Sequence, residues 1–304
     1  MAVDTDYVRP LLDASHVIID EGRAAFVDTG TNHSVPLLLD ALRQLDVDRA
    51  DVDYVFLTHV HLDHAGGAGE LLKFLPNATV VVHPRGAPHL VEPEKLVRGT
   101  IAVYGQSHFD KVYQGVTPLP ADRLSIIEDG QRFRLGGREL TCFYTEGHAR
   151  HHYCLFDPAS AAVFSGDSFG ISFRELDTVN GEFIFPSATP IDFDPPEAHR
   201  SVDRIMGFRP DCVYLTHYSR VAELGRLADD LHAGIDFYVD LAMRCATQAD
   251  RTAAIAEGLF SSYWARLLEH GFGAGEAAAH AVLDFDVRLN TMGLEVWLDR
   301  GARR

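Results

Sequence analysis

The segment from Leu57 to Gly67 constrains this chain more than any other feature, because three histidines and a carboxylate fall within it. It follows the apolar run Val55-Phe56-Leu57, which predicts a buried strand that ends where the polar side chains begin. In extended backbone, alternate side chains point the same way, and a turn at Leu62-Asp63 brings the later ones around from another direction. Imidazoles and a carboxylate are the ligands that zinc-like divalent metals prefer. The segment therefore predicts a metal site, with these candidate ligands: His59, His61, Asp63 and His64.

Four shorter motifs stand in order around this segment, each at the end of an apolar, strand-like run. They are Val27-Asp28-Thr29-Gly30, Glu146-Gly147-His148, Ser165-Gly166-Asp167-Ser168 and Leu215-Thr216-His217-Tyr218. Together with the HxHxDH run of His59 to His64, they resemble the five-motif pattern of the metallo-β-lactamase superfamily over roughly residues 15 to 218. The alternating helical and strand periodicity by itself indicates only an α/β fold. The resemblance implies an αββα sandwich, in which two sheets pack face to face and helices cover the outside.

The resemblance also implies a ligand set for two divalent ions, for which zinc is expected and manganese or iron are alternatives. His59, His61 and His148 would hold the first ion. Asp63, His64 and His217 would hold the second, and Asp167 would bridge both. Asp63 would in addition accept a proton during the reaction.

Two further residues are expected to support the ligands without binding metal: Asp28 and His152. Asp28 would orient a ligand histidine, with a simple turn-closing role as the alternative. A structural role is favoured for His151. The remaining histidines, His199 and His232 among them, are isolated in the sequence and are treated as background.

Composition limits the partners and the compartment. The net charge is −17, from 27 basic and 44 acidic residues, so binding to nucleic acid or to an anionic membrane surface is disfavoured. Met1 to Asp6 lacks the features of a signal peptide, and no apolar run approaches the roughly 20 residues that span a bilayer. The four cysteines are scattered. A cytoplasmic protein without disulfides is expected.

Local patterns predict the order of the elements. Apolar spacing predicts a helix over 35–45, and the run 78–82 predicts a strand buried on both faces. Short strands are predicted from Leu124 to Ser165, with hairpin turns at Asp129-Gly130 and Gly136-Gly137. Residues 1–220 are assigned to a catalytic domain and 221–304 to a C-terminal helical region packed on it.

Two segments carry the expectations about substrate and assembly. Residues 168–195 lack periodicity and hold five phenylalanines, which predicts an apolar cleft wall for a small-molecule substrate, with the alternative that the rings only pin the loop. The proposed substrate contacts are Phe169, Phe173 and Tyr218. Tyr218 would donate a hydrogen bond to a developing oxyanion, with simple packing of its ring as the favoured alternative. Apolar residues of the C-terminal helices favour a homodimer.

Three functions compete. The leading one is a dinuclear metal-dependent hydrolase of an ester, thioester or lactone, similar to glyoxalase II-like thioesterases and lactonases. Gly170 stands where the lactonases typically have tyrosine, which weakens that comparison. The second is a mononuclear iron persulfide dioxygenase using His59, His148 and Asp167. The third is a metal-binding protein without catalysis.

Overall fold

The computed structural model describes residues 1–188, 190 and 192–301. The strands are β1 Ala2–Asp4, β2 Ala14–Asp20, β3 Arg23–Val27, β4 Val52–Phe56, β5 Thr79–Val82, β6 Leu124–Ile126, β7 Arg132–Leu135, β8 Arg138–Tyr144, β9 Tyr153–Asp157, β10 Ala162–Gly166, β11 Cys212–Leu215 and β12 Ser219–Val221. The α-helices are α1 Val35–Gln44, α2 Leu62–Ala65, α3 Ala68–Leu72, α4 Ala87–Val91, α5 Glu94–Tyr104, α6 Gln106–Val112, α7 Pro195–Gly207, α8 Leu224–Cys245, α9 Arg251–Glu269 and α10 Glu276–Gly301.

The chain forms two compact units. The sheet unit comprises Met1–Tyr144, His151–Gly166 and Val213–Arg220, and the helical unit comprises Thr145–Arg150, Asp167–Cys212 and the chain from Val221 onward. The last segment of the helical unit thus begins next to the predicted boundary at residue 220. The packing of 145–150 and 167–212 with that segment was not anticipated from sequence, because those residues carry superfamily motifs rather than helical periodicity.

The first sheet of the sheet unit contains β1 to β6 in sequential order. Strands β3 to β6 run parallel, whereas β2 and β3 form a hairpin closed by Glu21 and Gly22. Both loop residues have positive φ, +47° and +76°, as a tight two-residue hairpin loop requires. Strand β5 lies between β4 and β6 and Val80 to Val82 are fully buried, which confirms the strand predicted at 78–82.

The second sheet has the order β12-β11-β10-β9-β8-β7. Gly136-Gly137 joins β7 to β8 in register, so the hairpin predicted there is confirmed. The hairpin predicted at Asp129-Gly130 is wrong. Strands β6 and β7, on either side of that turn, belong to different sheets, and the turn carries the chain from one sheet to the other. A turn sequence reports local backbone geometry but not the strand with which the next segment pairs.

The apolar core lies between the two sheets. Phe56 and Val81 of the first sheet share one buried cluster with Phe133, Leu140 and Leu155 of the second. The rings of Phe56 and Phe133 meet edge to face at 5.4 Å. A second cluster packs α1 and α3 against apolar side chains of the first sheet, among them Phe26 and Val55.

In the helical unit, α8, α9 and α10 confirm that the region predicted to be helical from residue 221 onward forms helices. A buried polar network joins these helices to the irregular 168–195 segment. Tyr238 donates to the carbonyl of Pro186 (2.8 Å), and the Asn290 side chain accepts from the amide of Ala188 and donates to the hydroxyls of Tyr238 and Tyr263. The network anchors the segment, of which Thr189 and Ile191 lie outside the described residues.

Over the residues that the structure describes, no helix combines the length and the apolarity needed to cross a membrane. All four cysteines are free and buried. The homodimer stays a prediction. Part of the apolar surface that suggested it, at Leu267, Leu283 and Leu294, is buried within the chain itself.

Candidate metal centre

Three of the predicted ligands converge within the sheet unit. The carboxylate Oδ2 of Asp63 lies 3.8 Å from Nε2 of His64 and 3.7 Å from Nε2 of His217. Asp63 and His64 sit on the short helix α2, which begins six residues after the end of β4, and His217 follows β11. The three ligand atoms can therefore face one ion.

Asp28 fixes the orientation of His64. Its carboxylate is buried and accepts from Nδ1 of His64 (2.9 Å), from the amide and hydroxyl of Thr58 (2.8 to 3.0 Å), and from the hydroxyl of Thr216 (2.9 Å). With the proton of His64 on Nδ1, the lone pair of Nε2 points towards Asp63. The hydrogen bond to Nδ1 of His64 supports the orienting role of Asp28, which stays a prediction.

His217 is held in the same manner by backbone. Its Nδ1 donates to the carbonyl of Leu12 at 2.9 Å, which leaves Nε2 on the side of Asp63. Each of the two imidazoles in this group therefore has one nitrogen bound to protein and the other directed at the candidate ion. Such outer partners set the tautomer and the direction of a ligand histidine.

The two histidines that precede α2 form a second pair in the same unit. Nε2 of His59 lies 2.8 Å from Nδ1 of His61, and the buried ring of His152 stacks on His59 with centroids 4.8 Å apart. His151 accepts weakly from the amide of Val60 (3.4 Å). His152 thus contacts the predicted ligand His59 through its ring face, and its supporting role stays a prediction.

The other two predicted ligands belong to the helical unit. Nε2 of His148 and Oδ2 of Asp167 are 3.4 Å apart, and both side chains are buried. Gly147, before His148, has φ +120°, and a Cβ there would meet the amide nitrogen of Ala198 at 2.4 Å. The glycine of this motif is thus required by the close approach of α7.

Electrostatics keep Asp63 ionised. Burial by itself would raise the pKa of this carboxyl, but the imidazoles of His64, His217 and His61 outweigh it, and the pKa is lowered. An ionised carboxylate between imidazoles is the form that binds a cation and that can accept a proton.

The predicted substrate contacts are distributed between both units. Phe169 and Phe173 are buried in the helical unit, where Phe173 packs against Phe185 with centroids 6.1 Å apart. Tyr218 is partly buried in the sheet unit, next to His217. Their contact with substrate stays a prediction.

A small cavity of about 20 Å³ lies beside His148 and Asp167 within the helical unit. Phe193 is the one ring of the five in residues 168–195 that lines it, together with apolar side chains of α7 and α8. The hydroxyl of Ser187 also faces the cavity and has no hydrogen-bond partner among the described residues. Neither residue stands out in the sequence, because a ring on a cavity wall and a ring in a core have the same local pattern.

Asp13 is a further residue that the sequence did not indicate. Its carboxyl is fully buried, and neither oxygen has a hydrogen-bond partner in the described part of the chain. Burial raises its pKa to about 8, although His217 and His64 oppose the shift. Its neighbour Leu12 holds His217, so this protonated carboxyl lies close to the Asp63 group.

Comparison with known proteins agrees with these motifs. A sequence model of the metallo-beta-lactamase superfamily matches residues 9–217. The chain belongs to this superfamily. The fold is confirmed by the crystal structure of an archaeal superfamily protein, ST1585 from Sulfolobus tokodaii, which superposes with a TM-score of 0.68 at 23% identity and covers 97% of both chains.

Curated relatives share only part of the chain. The metallo-beta-lactamase fold-containing protein ST1585 of Sulfurisphaera tokodaii is 29% identical over 68% of this chain and 73% of its own length. A human acyl-coenzyme A thioesterase is 32% identical over 50% of this chain, and a hydroxyacylglutathione hydrolase of Salmonella paratyphi A is 30% identical over 49%. The matches cover 53% and 43%, respectively, of those two proteins.

Replacing Asp28 tests the support of His64. In the wild type, the Asp28 carboxylate accepts a hydrogen bond from Nδ1 of His64. In Asp28→Asn, an NH₂ group can face this N–H instead, so the hydrogen bond that fixes the tautomer of His64 is lost. We expect Zn²⁺ affinity to fall roughly 10- to 100-fold, measured by competition with a chromophoric chelator. The exposed Asp122→Asn is the matched control and should bind as the wild type does. Equal affinity in both variants would show that Asp28 does not control the ligand.

Asp13 predicts a pH dependence of stability in the metal-free protein. The pKa of Asp13 is about 8 in the folded chain and roughly 4 in the unfolded chain. At a pH between these two values, the carboxyl is protonated in the folded chain and ionised in the unfolded chain. Stability should therefore be lost as pH rises from 5 to 9, by the order of a few kcal/mol. Asp13→Asn, which cannot ionise, should lose less over the same range in urea unfolding, while the exposed Asp229→Asn follows the wild type. Parallel curves for all three proteins would contradict the assignment.

Proposed function

We propose that this chain is a metal-dependent hydrolase with a dinuclear centre, which cleaves an ester, thioester or lactone of a small molecule. The observation that carries the proposal is the group of Asp63, His64 and His217, whose two imidazoles are directed by Asp28 and by the carbonyl of Leu12. A purely structural cluster has no need of two histidines with fixed tautomers that converge on one ionised carboxylate.

The donor chemistry fits a zinc-like ion. Oδ2 of Asp63 lies 3.8 and 3.7 Å from Nε2 of His64 and of His217, close to the roughly 3.4 Å that separates two ligands of a tetrahedral zinc site. His59, His61, His148 and Asp167 supply the same classes of ligand, which the superfamily pattern assigns to a first ion and to the bridge.

When bound, two such ions supply a hydroxide nucleophile at neutral pH and polarise a carbonyl oxygen. The residues of the chain would then perform three tasks. Asp63, which its lowered pKa keeps ionised, is the proposed proton acceptor. Tyr218, next to His217, is a proposed hydrogen-bond donor to the developing oxyanion. Asp28 keeps His64 oriented throughout.

The proposed substrate is a small carbonyl compound with an apolar portion, and a thioester is the first to test. Acyl-coenzyme A and acylglutathione, the substrates in the names of two relatives, are both thioesters. The cavity beside His148 and Asp167 combines apolar walls from α7, α8 and Phe193 with a few polar groups, the Ser187 hydroxyl among them, which is the usual design of a small-molecule pocket. The net charge of −17 disfavours a nucleic acid.

Substitution of the proposed bridge tests the function. Wild-type protein should hold two metal ions per chain and hydrolyse at least one member of an ester, thioester and lactone panel. Asp167→Asn should lose metal and roughly a hundredfold or more in kcat together, because it removes the bridging charge. His151→Ala should be milder. A single tightly held iron with full activity on a persulfide would favour the dioxygenase, and metal binding without turnover of any substrate would favour a non-catalytic role.

Phe193 tests the position of the acyl group. The cavity has room for about one water molecule, so removing the ring should admit a longer chain. We expect Phe193→Ala to raise the ratio of kcat/KM for a hexanoyl over an acetyl thioester about tenfold or more, with metal content unchanged. Phe183→Ala is the control, since this ring is equally buried in the same segment but packs on Arg266 instead. An unchanged ratio in Phe193→Ala would place the acyl group elsewhere.

A further inference from the structure

Four side chains of helices α7 and α8 form a reciprocal cluster outside the candidate centre. His199 and Asp203 lie one turn apart on α7, and His232 and Asp236 lie one turn apart on α8. Nε2 of each histidine lies 3.2 Å from the carboxylate of the opposite helix, so His199 pairs with Asp236 and His232 with Asp203. The two Nδ1 atoms face each other at 2.6 Å.

The rings meet edge to edge. Their planes differ by only 8°, and their centroids are 4.9 Å apart, much farther than the two Nδ1 atoms. Rings stacked face to face would not bring one pair of nitrogens so much closer than the centroids. The two Nδ1 atoms therefore point at one another.

The carboxylates decide which nitrogen carries the proton. A carboxylate only accepts, so Nε2 of His199, which is hydrogen-bonded to Asp236, carries its hydrogen. Nε2 of His232 lies within ion-pair distance of Asp203. A neutral imidazole with hydrogen on Nε2 has a lone pair on Nδ1. The cluster thus directs the lone pair on Nδ1 of His199 at Nδ1 of His232 across 2.6 Å, a position that either a shared proton or a metal ion can occupy.

We propose that His199 and His232 form a second metal site, for a divalent ion of the zinc, copper or nickel class, which joins α7 to α8. A carboxylate on the far nitrogen of a ligand histidine is the usual way to orient it and to raise its basicity. Imidazole pairs favour these borderline metals. Asp203 and Asp236 add two negative charges, in a chain whose net charge is already −17.

Access and geometry are compatible with such an ion. The histidine side chains are 28% and 30% exposed, so water can complete the coordination. Ligand nitrogens of a tetrahedral site are about 3.4 Å apart, so the two rings would separate by less than about 1 Å. Surface side chains on two helices can make this shift by rotation.

The site would act on the cavity described above. Ala198 and Val202 of α7 and Leu231 and Ile235 of α8 line that cavity, each next to a member of the cluster in sequence. An ion that joins the outer faces of the two helices would hold the distance between the inner faces. The proposed role is therefore a clamp on the cavity walls rather than a catalytic one.

Zinc stoichiometry tests the proposal. The double variant His199→Gln/His232→Gln should bind one Zn²⁺ per chain fewer than the wild type in equilibrium dialysis. His280→Gln should equal the wild type, because His280 pairs with Asp284 on a single helix and faces no second histidine. The Zn²⁺ ions that the double variant still binds are those of the candidate centre. If that centre does not bind Zn²⁺, the number of ions per chain is therefore lower by the same amount in all three proteins. Identical stoichiometry in the three proteins would mean that the pair shares a proton only, and would overturn the site.

Paramagnetic resonance of bound Cu²⁺ provides an independent measurement that does not depend on the folding of the double variant. Cu²⁺ added to wild type whose candidate centre is already filled with Zn²⁺ should give a paramagnetic resonance signal with coupling to two nitrogens. The single variant His199→Gln should show one nitrogen or none, and its far-ultraviolet circular dichroism reports folding. A wild-type signal without nitrogen coupling would contradict the proposal directly.

Discussion

The buried carboxylate of Asp28 is the interaction on which the site depends. A charge removed from water must be matched by several donors, and here they come from Thr58, His64 and Thr216. Thr58 and Thr216 follow the ends of β4 and β11, and His64 lies on α2, so the satisfied charge fixes these segments of the sheet unit relative to one another. Asp28 itself has φ +58°, an uncommon conformation that costs about 1 kcal/mol or more. The strain is thus located where the motif segments meet.

Control of tautomers is the common feature of the two proposed metal sites. In the candidate centre, protein groups bind Nδ1 of His64 and His217 and leave Nε2 for an ion. On α7 and α8, carboxylates face Nε2 and leave Nδ1. The first site is buried and uses an ionised carboxylate as a ligand, whereas the second is exposed and has carboxylates only behind the imidazoles. The second site should therefore hold its ion more weakly and exchange it with solution.

The helical unit shows how one segment can serve both packing and recognition. Most rings of residues 168–195 are buried against the helices, as Phe173 and Phe185 are, and the Tyr238, Tyr263 and Asn290 network anchors the backbone. Phe193 alone among the five lines the cavity beside His148. A rigid, well-packed segment positions such a wall more precisely than a mobile loop can, which suits a pocket with room for a single small group.

The sequence by itself determined the superfamily, the candidate ligands and most elements, because ligand spacing and the periodicity of strands and helices are properties of neighbours along the chain. The tertiary structure decided the rest. Asp13 is buried with no hydrogen-bond partner for its carboxylate among the described residues. Strands β6 and β7 belong to different sheets despite the turn at Asp129-Gly130. Of the five phenylalanines in residues 168–195, Phe193 is the one that lines the cavity. The tertiary structure also paired His199 with His232, which are 33 residues apart and look isolated in the sequence. Burial and pairing over such distances depend on how elements pack against each other, and no local pattern records that packing.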